Sequence, residues 1–277
     1  MSEQMNEMPL LEVRHLRKLF PAKSAFGTRE KKFIKAVDDV SFTLNPRETL
    51  GVVGESGCGK STMGRSVLRL IEPTDGEILY KGQDFKKASG QELRRMRAEM
   101  QIIFQDPYAS LNPRMTIGEI IAEPLNIQKR YGSKEETREH VLKVMEVVGL
   151  NPKYYNRYPH EFSGGQRQRI GIARSIVLGP SLVVCDEPVS ALDVSIQAQI
   201  LNLLKDLQKE FSTAYLFISH DIGVIHYMSD FIVVINRGRI VEQGEGSQLI
   251  RTPKDDYTKR LIASSCSTGE GCVCGVR

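Results

Sequence analysis

The sequence feature that most constrains the fold is a glycine-rich segment that runs from Gly54 to Ser61. Its residues fit the pattern G-x-x-x-x-G-K-[ST] in full, and they follow the short apolar run Leu50–Val53, which predicts a buried strand. The next segment, Lys60–Leu70, is predicted to form a helix. A strand, a glycine-rich loop and a helix in this order indicate an α/β fold whose loop encloses an anion.

This loop has the chemistry of a nucleoside triphosphate site. Glycine lets the backbone turn so that amide N–H groups point inward, and the start of the helix adds a partial positive charge. We expect the Lys60 ammonium at the β- and γ-phosphates, the Ser61 hydroxyl at Mg²⁺ and the Thr62 hydroxyl at a phosphate oxygen. A loop that only turns the chain is the alternative, and the surrounding strand, helix and Lys-Ser pair disfavour it. The predicted phosphate-binding residues are Gly54, Ser56, Gly57, Cys58, Gly59, Lys60, Ser61 and Thr62.

A second apolar run, Leu182–Cys185, ends in two acidic residues, Asp186 and Glu187. An Asp at the end of a buried strand can hold Mg²⁺ or its bound water. The adjacent Glu187 is expected to point the other way along the pleat, as the general base for water that attacks the γ-phosphate. Helix capping or surface charge is the alternative, and the phosphate loop in the same chain favours hydrolysis. His220, directly after a predicted strand at 215–219, is a candidate γ-phosphate contact, although a His there is often structural.

A third motif, Ser163–Gln166, opens a predicted helix over Gln166–Leu178. Read locally, S-x-x-Q is a capping box. Capping does not explain the two consecutive glycines, Gly164 and Gly165. Glycines suit close approach of the backbone to an anion at a helix N-terminus, so this segment is a second candidate for phosphate contact.

The remaining patterns predict strands that alternate with helices, and therefore a largely parallel sheet. Period-two alternation in the first 50 or so residues predicts strands, and Glu77–Tyr80 has the pattern of a further hairpin-like strand. Capping-box spacing from Ser133 to Glu136 predicts a helix that ends at Gly149. A helix over Ile196–Leu207 is predicted to follow, and Phe231–Glu242 has the pattern of a β-hairpin.

Composition narrows the class of protein. With 277 residues and 40% apolar residues, the chain is long enough and apolar enough for one large domain or a core with an inserted subdomain. The 38 basic and 34 acidic residues leave a net charge of +4, which is too small and too dispersed for a nucleic-acid clamp. No apolar run approaches the ~18 residues of a membrane span. The polar, acidic start at 1–9 lacks the apolar stretch of a secretory signal, so we expect a cytosolic protein.

Together these motifs resemble the ATP-binding cassette (ABC) ATPases over nearly the whole chain. The phosphate loop, a glutamine-loop residue Gln105, the signature Ser163–Gln166, the acidic pair, the loop Ser190–Asp193 and His220 follow in that family's order. The resemblance implies an α/β P-loop NTPase with a RecA-like, mostly parallel core sheet, an antiparallel β-subdomain and an inserted helical subdomain. The expected divisions are an ABC ATPase domain at 1–250 and a C-terminal extension at 251–277. Within the ATPase domain, the β-subdomain and core are expected at 1–105 and 171–250, and the helical subdomain at 106–170.

The resemblance also implies roles for individual residues. Two cassettes would pack head to tail, with each nucleotide between the phosphate loop of one and the signature of the other. Ser163 and Gly165 would then donate to the γ-phosphate held by the partner, and Asp193 would communicate across the interface. Gln105 would reach Mg²⁺ and the attacking water. Phe20 matches the aromatic position that stacks on adenine, although a core or surface aromatic is the equal alternative there. The implied metal ligands are Ser61, Gln105 and Asp186, and the implied catalytic residues are Glu187, His220 and Gln105.

Two stretches are similar to the oligopeptide and dipeptide importer ATPases. They are Phe104–Arg114 and Asp256–Leu261, although the His-Pro of that group's C-terminal motif is here Asp255-Asp256. The resemblance implies a peripheral motor at the cytoplasmic face of the membrane that uses ATP and Mg²⁺. Its partners would be a second, paralogous ATPase subunit, two transmembrane permease subunits and, indirectly, an extracytoplasmic solute-binding protein. Nickel or glutathione transport, a soluble ATPase acting on nucleic acid or the ribosome, and a regulatory subunit that only binds ATP remain alternatives.

The end of the chain holds three of the five cysteines, Cys266, Cys272 and Cys274. Some peptide-importer ATPases carry an iron–sulfur cluster in a C-terminal extension, so a cluster is an option for this tail. Such clusters usually need four thiolates, and only three are available here. Free thiols are therefore the favoured interpretation.

Overall fold

The structure is a computed structural model that describes residues 8–22 and 33–267. The described residues separate into two compact units, one made of those within Met1–Ala88 and Leu216–Arg277 and the other of Ser89–Tyr215. The second unit holds core strands as well as helices. The expected subdomain boundaries at 106 and 170 therefore stay a prediction.

Ten strands and ten α-helices occur in the described residues, with two short 3₁₀ turns before the sixth helix. In chain order the strands are β1 (Leu11–Pro21), β2 (Phe33–Leu44), β3 (Thr49–Val53), β4 (Asp75–Tyr80), β5 (Gln83–Asp84), β6 (Met100–Ile103), β7 (Leu182–Asp186), β8 (Ala214–Ser219), β9 (Phe231–Asn236) and β10 (Arg239–Glu245). The helices are α1 (Lys60–Val67), α2 (Gly90–Glu99), α3 (Pro107–Ser110), α4 (Ile117–Gln128), α5 (Lys134–Val147), α6 (Gly164–Ile176), α7 (Val194–Phe211), α8 (Ile222–Met228), α9 (Gly246–Arg251) and α10 (Asp256–Ser267).

The first unit contains a four-stranded antiparallel sheet in the order β2-β1-β4-β5. Val13 of β1 lies opposite Phe42 of β2 and Ile78 of β4, and all three side chains are buried. The apolar positions that alternate along β2 are likewise buried, while most residues between them are exposed. Period-two alternation therefore predicted both the strands and the face that they bury.

In the first unit, β10, β9, β3 and the part of β8 from Leu216 onward are neighbours in that order. β3 pairs with β9 in parallel, and β10 closes the edge as the antiparallel partner of β9. Every residue of β3 and β8 is buried, which is typical of parallel strands covered on both faces. The hairpin predicted over Phe231–Glu242 is confirmed by the β9–β10 pair.

The second unit combines the parallel pair β6 and β7 with packed helices α4, α5 and α6. Helix α5 begins as predicted, because the Ser133 hydroxyl accepts a hydrogen bond from the Glu136 amide at 3.1 Å. It ends two residues before Gly149, whose φ of 74° stops the helix. Parallel and antiparallel sheets with covering helices confirm the predicted α/β class. None of the described helices is long and apolar enough to cross a membrane.

Candidate nucleotide-binding site

The glycine-rich loop connects β3 to α1 in the first unit, as predicted. β3 is buried along its whole length and leads directly into the loop. Helix α1 then begins at Lys60, with Gly59 as its N-cap. The backbone at Gly57 and Gly59 has φ values of 79° and 108°, which residues with a Cβ rarely adopt. The loop therefore takes a conformation that depends on glycine, and it ends at the positive end of a helix.

Main-chain groups of two other elements close one side of the loop. The Gly238 amide in the β9–β10 turn donates to the Cys58 carbonyl at 2.8 Å, and the Gly238 carbonyl accepts from the Asp38 amide at 2.8 Å. A Cβ on Gly59 would collide with the Ala36 carbonyl oxygen, whereas a Cβ on Gly57 would meet no atom within 4 Å. The loop is thus tightly supported at Gly59 and open at Gly57. Sequence reasoning predicted only a hairpin over Phe231–Glu242 and missed the supporting role of its turn.

Replacing Gly59 with Ala is expected to lower the free energy of unfolding by roughly 2–5 kcal/mol, because a strained backbone adds to a collision with a main-chain oxygen. The matched control is Gly57→Ala, where the left-handed backbone remains but the space is open. In that variant the free energy of unfolding should fall by about 1–2 kcal/mol, through backbone strain alone. Urea unfolding of both variants measures the difference, and equal losses would contradict the close contact with Ala36.

The Lys60 side chain lies inside the loop and is 4% exposed. Its ammonium donates to the carbonyl oxygens of Gly54 at 2.7 Å and Glu55 at 2.9 Å. Ser61 and Thr62 follow on the first turn of α1, and both are half-buried. A positive charge is therefore held where the helix N-terminus and the open part of the loop meet, which suits a phosphate chain.

The two buried thiols are not reactive groups. Burial raises the pKa of Cys58, and the nearby Lys60 ammonium, 3.9 Å from its sulfur, opposes this rise without cancelling it. Burial, with a smaller contribution from the Asp186 carboxylate, raises the pKa of Cys185. Both thiols stay protonated at neutral pH, so neither acts as a nucleophile.

The predicted catalytic residues Gln105 and Glu187 meet in the second unit. The parallel register of β6 and β7 places Ile103 beside Cys185, so the residues that follow these two strands emerge at the same sheet edge. The Gln105 side-chain nitrogen donates to a Glu187 carboxylate oxygen at 3.0 Å. The structure therefore brings together two residues that lie 82 positions apart in the sequence.

The acidic pair differs from expectation in one respect. Asp186 is the last residue of β7 and is 1% exposed, as predicted for a strand end. Glu187 lies beyond the strand with a φ of 49°, so the expected alternation along the pleat is wrong at this position. The left-handed turn, together with the hydrogen bond from Gln105, sets where the Glu187 carboxylate points.

The signature motif starts α6 as a capping box. The Ser163 hydroxyl accepts from the Gln166 amide at 3.4 Å, and the Gln166 side-chain oxygen accepts from the Ser163 amide at 3.1 Å. A Cβ on Gly165 would lie 2.6 Å from Cγ2 of Ile196, and one on Gly164 would lie 3.5 Å from Leu192. Packing within the unit is thus a reason for glycine at 165 that sequence reasoning missed.

Three further predicted residues occupy the ends of regular elements. Asp193 is the exposed N-cap residue of α7, and its carboxylate makes no capping hydrogen bond. Phe20 is half-buried near the end of β1, with the Lys18 ammonium 4.9 Å from its ring centre. His220 directly follows β8 and is exposed. Their contacts with a partner cassette, with adenine and with the γ-phosphate stay predictions.

Each unit, taken by itself, holds residues whose chemistry suits ATP or Mg²⁺. The loop offers amides, an ammonium and open space at Gly57, which are the features that a phosphate chain needs. The metal ligands implied by the family resemblance are the hydroxyl of Ser61, the amide oxygen of Gln105 and the carboxylate of Asp186. These are hard oxygen donors of the kind that Mg²⁺ prefers.

Comparison with known proteins identifies relatives along most of the chain. The family model described as "ABC transporter" matches residues 37–190. The oligopeptide transport ATP-binding protein AppF of Bacillus subtilis (strain 168) is 51% identical over 260 residues, which are 94% of this chain and 79% of that protein. OppF of the same strain is 52% identical over 256 residues, covering 92% of this chain and 82% of the relative. OppF of Haemophilus influenzae is 50% identical over 266 residues, which are 95% of this chain and 80% of that protein.

Solved structures agree with the sequence relatives. The dimeric post-hydrolysis state of the ATP-binding cassette MJ0796 bound to ADP and Pi aligns with a TM-score of 0.74 at 27% identity, covering 85% of this chain and 98% of that one. The cbiO1 subunit from Clostridium perfringens, part of the ABC transporter complex cbiONQ, aligns with a TM-score of 0.74 at 23% identity over 93% and 94% of the two chains. At that identity the second likeness concerns the fold alone.

Proposed function

Because this chain belongs to the ABC transporter family, we propose that it is the ATP-hydrolysing motor subunit of an oligopeptide importer. The observation that carries the proposal is the 51% identity with an oligopeptide transport ATP-binding protein over 94% of this chain. The hydrogen-bonded pair of Gln105 and Glu187 supports hydrolysis, because it holds a carboxylate in a fixed position just beyond the ends of β6 and β7.

ATP and Mg²⁺ are the proposed cofactors, and the metal would neutralise charge that develops on the phosphate oxygens. The loop amides, the Lys60 ammonium and the Thr62 hydroxyl would bind the phosphates, and Phe20 would stack on adenine. Stacking of this kind contributes about 1–3 kcal/mol per base and tolerates different bases. Ser61, Gln105 and Asp186 would hold Mg²⁺.

In the proposed reaction Glu187 accepts the proton of the attacking water while Gln105 keeps its carboxylate in place. His220 would contact the γ-phosphate. The Ser163–Gln166 signature would contact the nucleotide of a second cassette, with Asp193 at the interface between the two. Water is then activated beside a phosphate whose charge is already neutralised, which favours hydrolysis.

The proposed assembly has four core subunits. A second, paralogous ATPase subunit would complete the head-to-tail dimer, and two transmembrane permease subunits would carry the solute across the membrane. An extracytoplasmic solute-binding protein would deliver the peptide. This chain would then act at the cytoplasmic face of the membrane, and ATP-driven closing of the cassette dimer would switch the permease between its two orientations.

Reconstitution of the full complex in proteoliposomes tests this proposal. We expect uptake of labelled oligopeptides into vesicles whose lumen holds ATP and Mg²⁺, by complexes oriented with this subunit on the inside. Uptake should stop when ATP is replaced by a non-hydrolysable analogue. Uptake of nickel or glutathione without peptide uptake would overturn the peptide assignment. ATPase activity stimulated by nucleic acid, or stoichiometric ATP binding without turnover in the full complex, would overturn the motor assignment.

The C-terminal tail is proposed to carry free thiols. The Cys266 side chain and the residues Cys272 and Cys274 lie outside the part of the chain that the structure describes. Within the described part, no group of His, Cys, Asp and Glu could hold a metal ion by itself. Iron and sulfide analysis of anaerobically purified protein should find neither element, and stoichiometric amounts of both would contradict the proposal.

A further inference from the structure

The C-terminal segment contacts the phosphate loop through one hydroxyl group. Tyr257, in the first turn of α10, is 7% exposed, and its phenol oxygen accepts a hydrogen bond from the Glu55 amide at 2.9 Å. The two residues are 202 positions apart, and both belong to the first unit. Sequence reasoning used the segment around Tyr257 only as a mark of the peptide-importer group, so this contact has no role in the function proposed above.

The start of α10 is held firmly on β10. The Glu242 carboxylate accepts from the Lys254 amide at 2.8 Å and from the Asp255 amide at 3.0 Å. The Asp255 carboxylate in turn accepts from the Tyr257 amide at 2.8 Å. Desolvation raises the pKa of Glu242, but the hydrogen bonds from the 254–258 segment outweigh it and the net pKa is lowered. The Glu242 carboxylate is therefore ionised at neutral pH. Its hydrogen bonds fix the start of α10, and with it Tyr257, against β10.

One peptide group of the loop is held at both ends. The Gly54 carbonyl oxygen accepts from the Lys60 ammonium at 2.7 Å, and the Glu55 N–H of the same peptide group donates to Tyr257. A peptide group is planar, so a partner on the N–H side also fixes the direction of the carbonyl. Without the tyrosine hydroxyl this group could rotate, and the carbonyl that anchors the ammonium would turn with it.

We propose that Tyr257 is a positioning residue of the phosphate loop, so that nucleotide affinity depends on the docking of the C-terminal segment. The proposal rests on the proposed function, because it takes the loop to be the ATP site. A purely structural tyrosine would anchor α10 and leave the affinity for nucleotide unchanged. The two roles therefore differ in a measurable way.

The test compares Tyr257→Phe with Tyr215→Phe. Tyr215 is a matched control, because it is also buried and its hydroxyl donates at 2.9 Å to the carbonyl of Leu204, a residue of the same second unit. Each variant loses one hydroxyl and one hydrogen bond. Since a hydrogen bond contributes about 0.5–1.5 kcal/mol net, Tyr257→Phe should raise the Kd for Mg-ATP by about 2- to 10-fold, and Tyr215→Phe should leave that Kd unchanged.

Three measurements separate the outcomes. Titration with a fluorescent ATP analogue in the presence of Mg²⁺ gives the Kd, and the turnover of the assembled complex at saturating ATP should stay near that of the unmodified protein, which places the effect in binding. Hydrogen exchange of the nucleotide-free protein should show faster exchange of the Glu55 amide in Tyr257→Phe and not in Tyr215→Phe.

An unchanged Kd in Tyr257→Phe, or equal increases in both variants, would overturn the positioning role. If the unmodified protein fails to bind Mg-ATP, the proposed function fails instead. The exchange rate of the Glu55 amide then still decides whether the hydroxyl holds the loop, because that measurement needs no nucleotide.

Discussion

Replacement of Glu187 by Gln is expected to lower ATP turnover by about 10²–10⁴-fold, the usual contribution of a general base. The amide cannot accept the proton of the attacking water. It has the same length and shape as the carboxylate, and its oxygen can still accept the hydrogen bond from Gln105 that is 3.0 Å long in the structure. The Kd for Mg-ATP should therefore stay within a few-fold of the original value, and the loss should appear in kcat of the assembled complex.

Glu136→Gln is the control for the change in charge. Glu136 is an exposed residue of α5 whose carboxylate accepts from the Gly132 amide at 3.2 Å, an interaction that an amide oxygen can also make. Turnover should be unaffected in that variant. If Glu187→Gln hydrolysed ATP at the original rate, the assignment of Glu187 as the base would be wrong.

The second large effect is expected for Lys60→Met, which keeps an unbranched apolar stem and removes the ammonium. A hydrogen bond to a charged group contributes about 1.5–3 kcal/mol, so the loss of two phosphate contacts should raise the Kd for Mg-ATP by roughly 10²–10⁴-fold. The carbonyl oxygens of Gly54 and Glu55 lose a buried donor in the same variant. Isothermal titration calorimetry measures the affinity, and thermal unfolding measures the accompanying loss of stability.

Lys81→Met is the matched control for Lys60→Met. The Lys81 ammonium, just after β4, lies over the Tyr80 ring at 5.2 Å from its centre, and its removal changes the net charge by the same amount. ATP affinity should be retained there. Retained affinity in Lys60→Met would mean that the 54–61 loop is not where the phosphates bind.

Local patterns in the sequence predicted most of the regular elements. Apolar runs and period-two alternation located the strands, and the capping pattern at Ser133 located the start of α5, because both depend on residues within one element. The ends of elements were less well predicted. Helix α1 ends at Val67 rather than Leu70, and α7 extends to Phe211 rather than Leu207. Such ends depend on side chains that pack from elsewhere in the fold.

The sequence by itself determined the phosphate loop, since glycines, a lysine and a helix start must be contiguous to surround an anion. Only the tertiary structure decided which distant groups surround these motifs. The hydrogen bond between Gln105 and Glu187 follows from the register of β6 and β7, and the support of Glu55 by Tyr257 follows from the docking of α10. Register and docking are set by burial and hydrogen bonding summed over whole elements, so no short stretch of sequence encodes them.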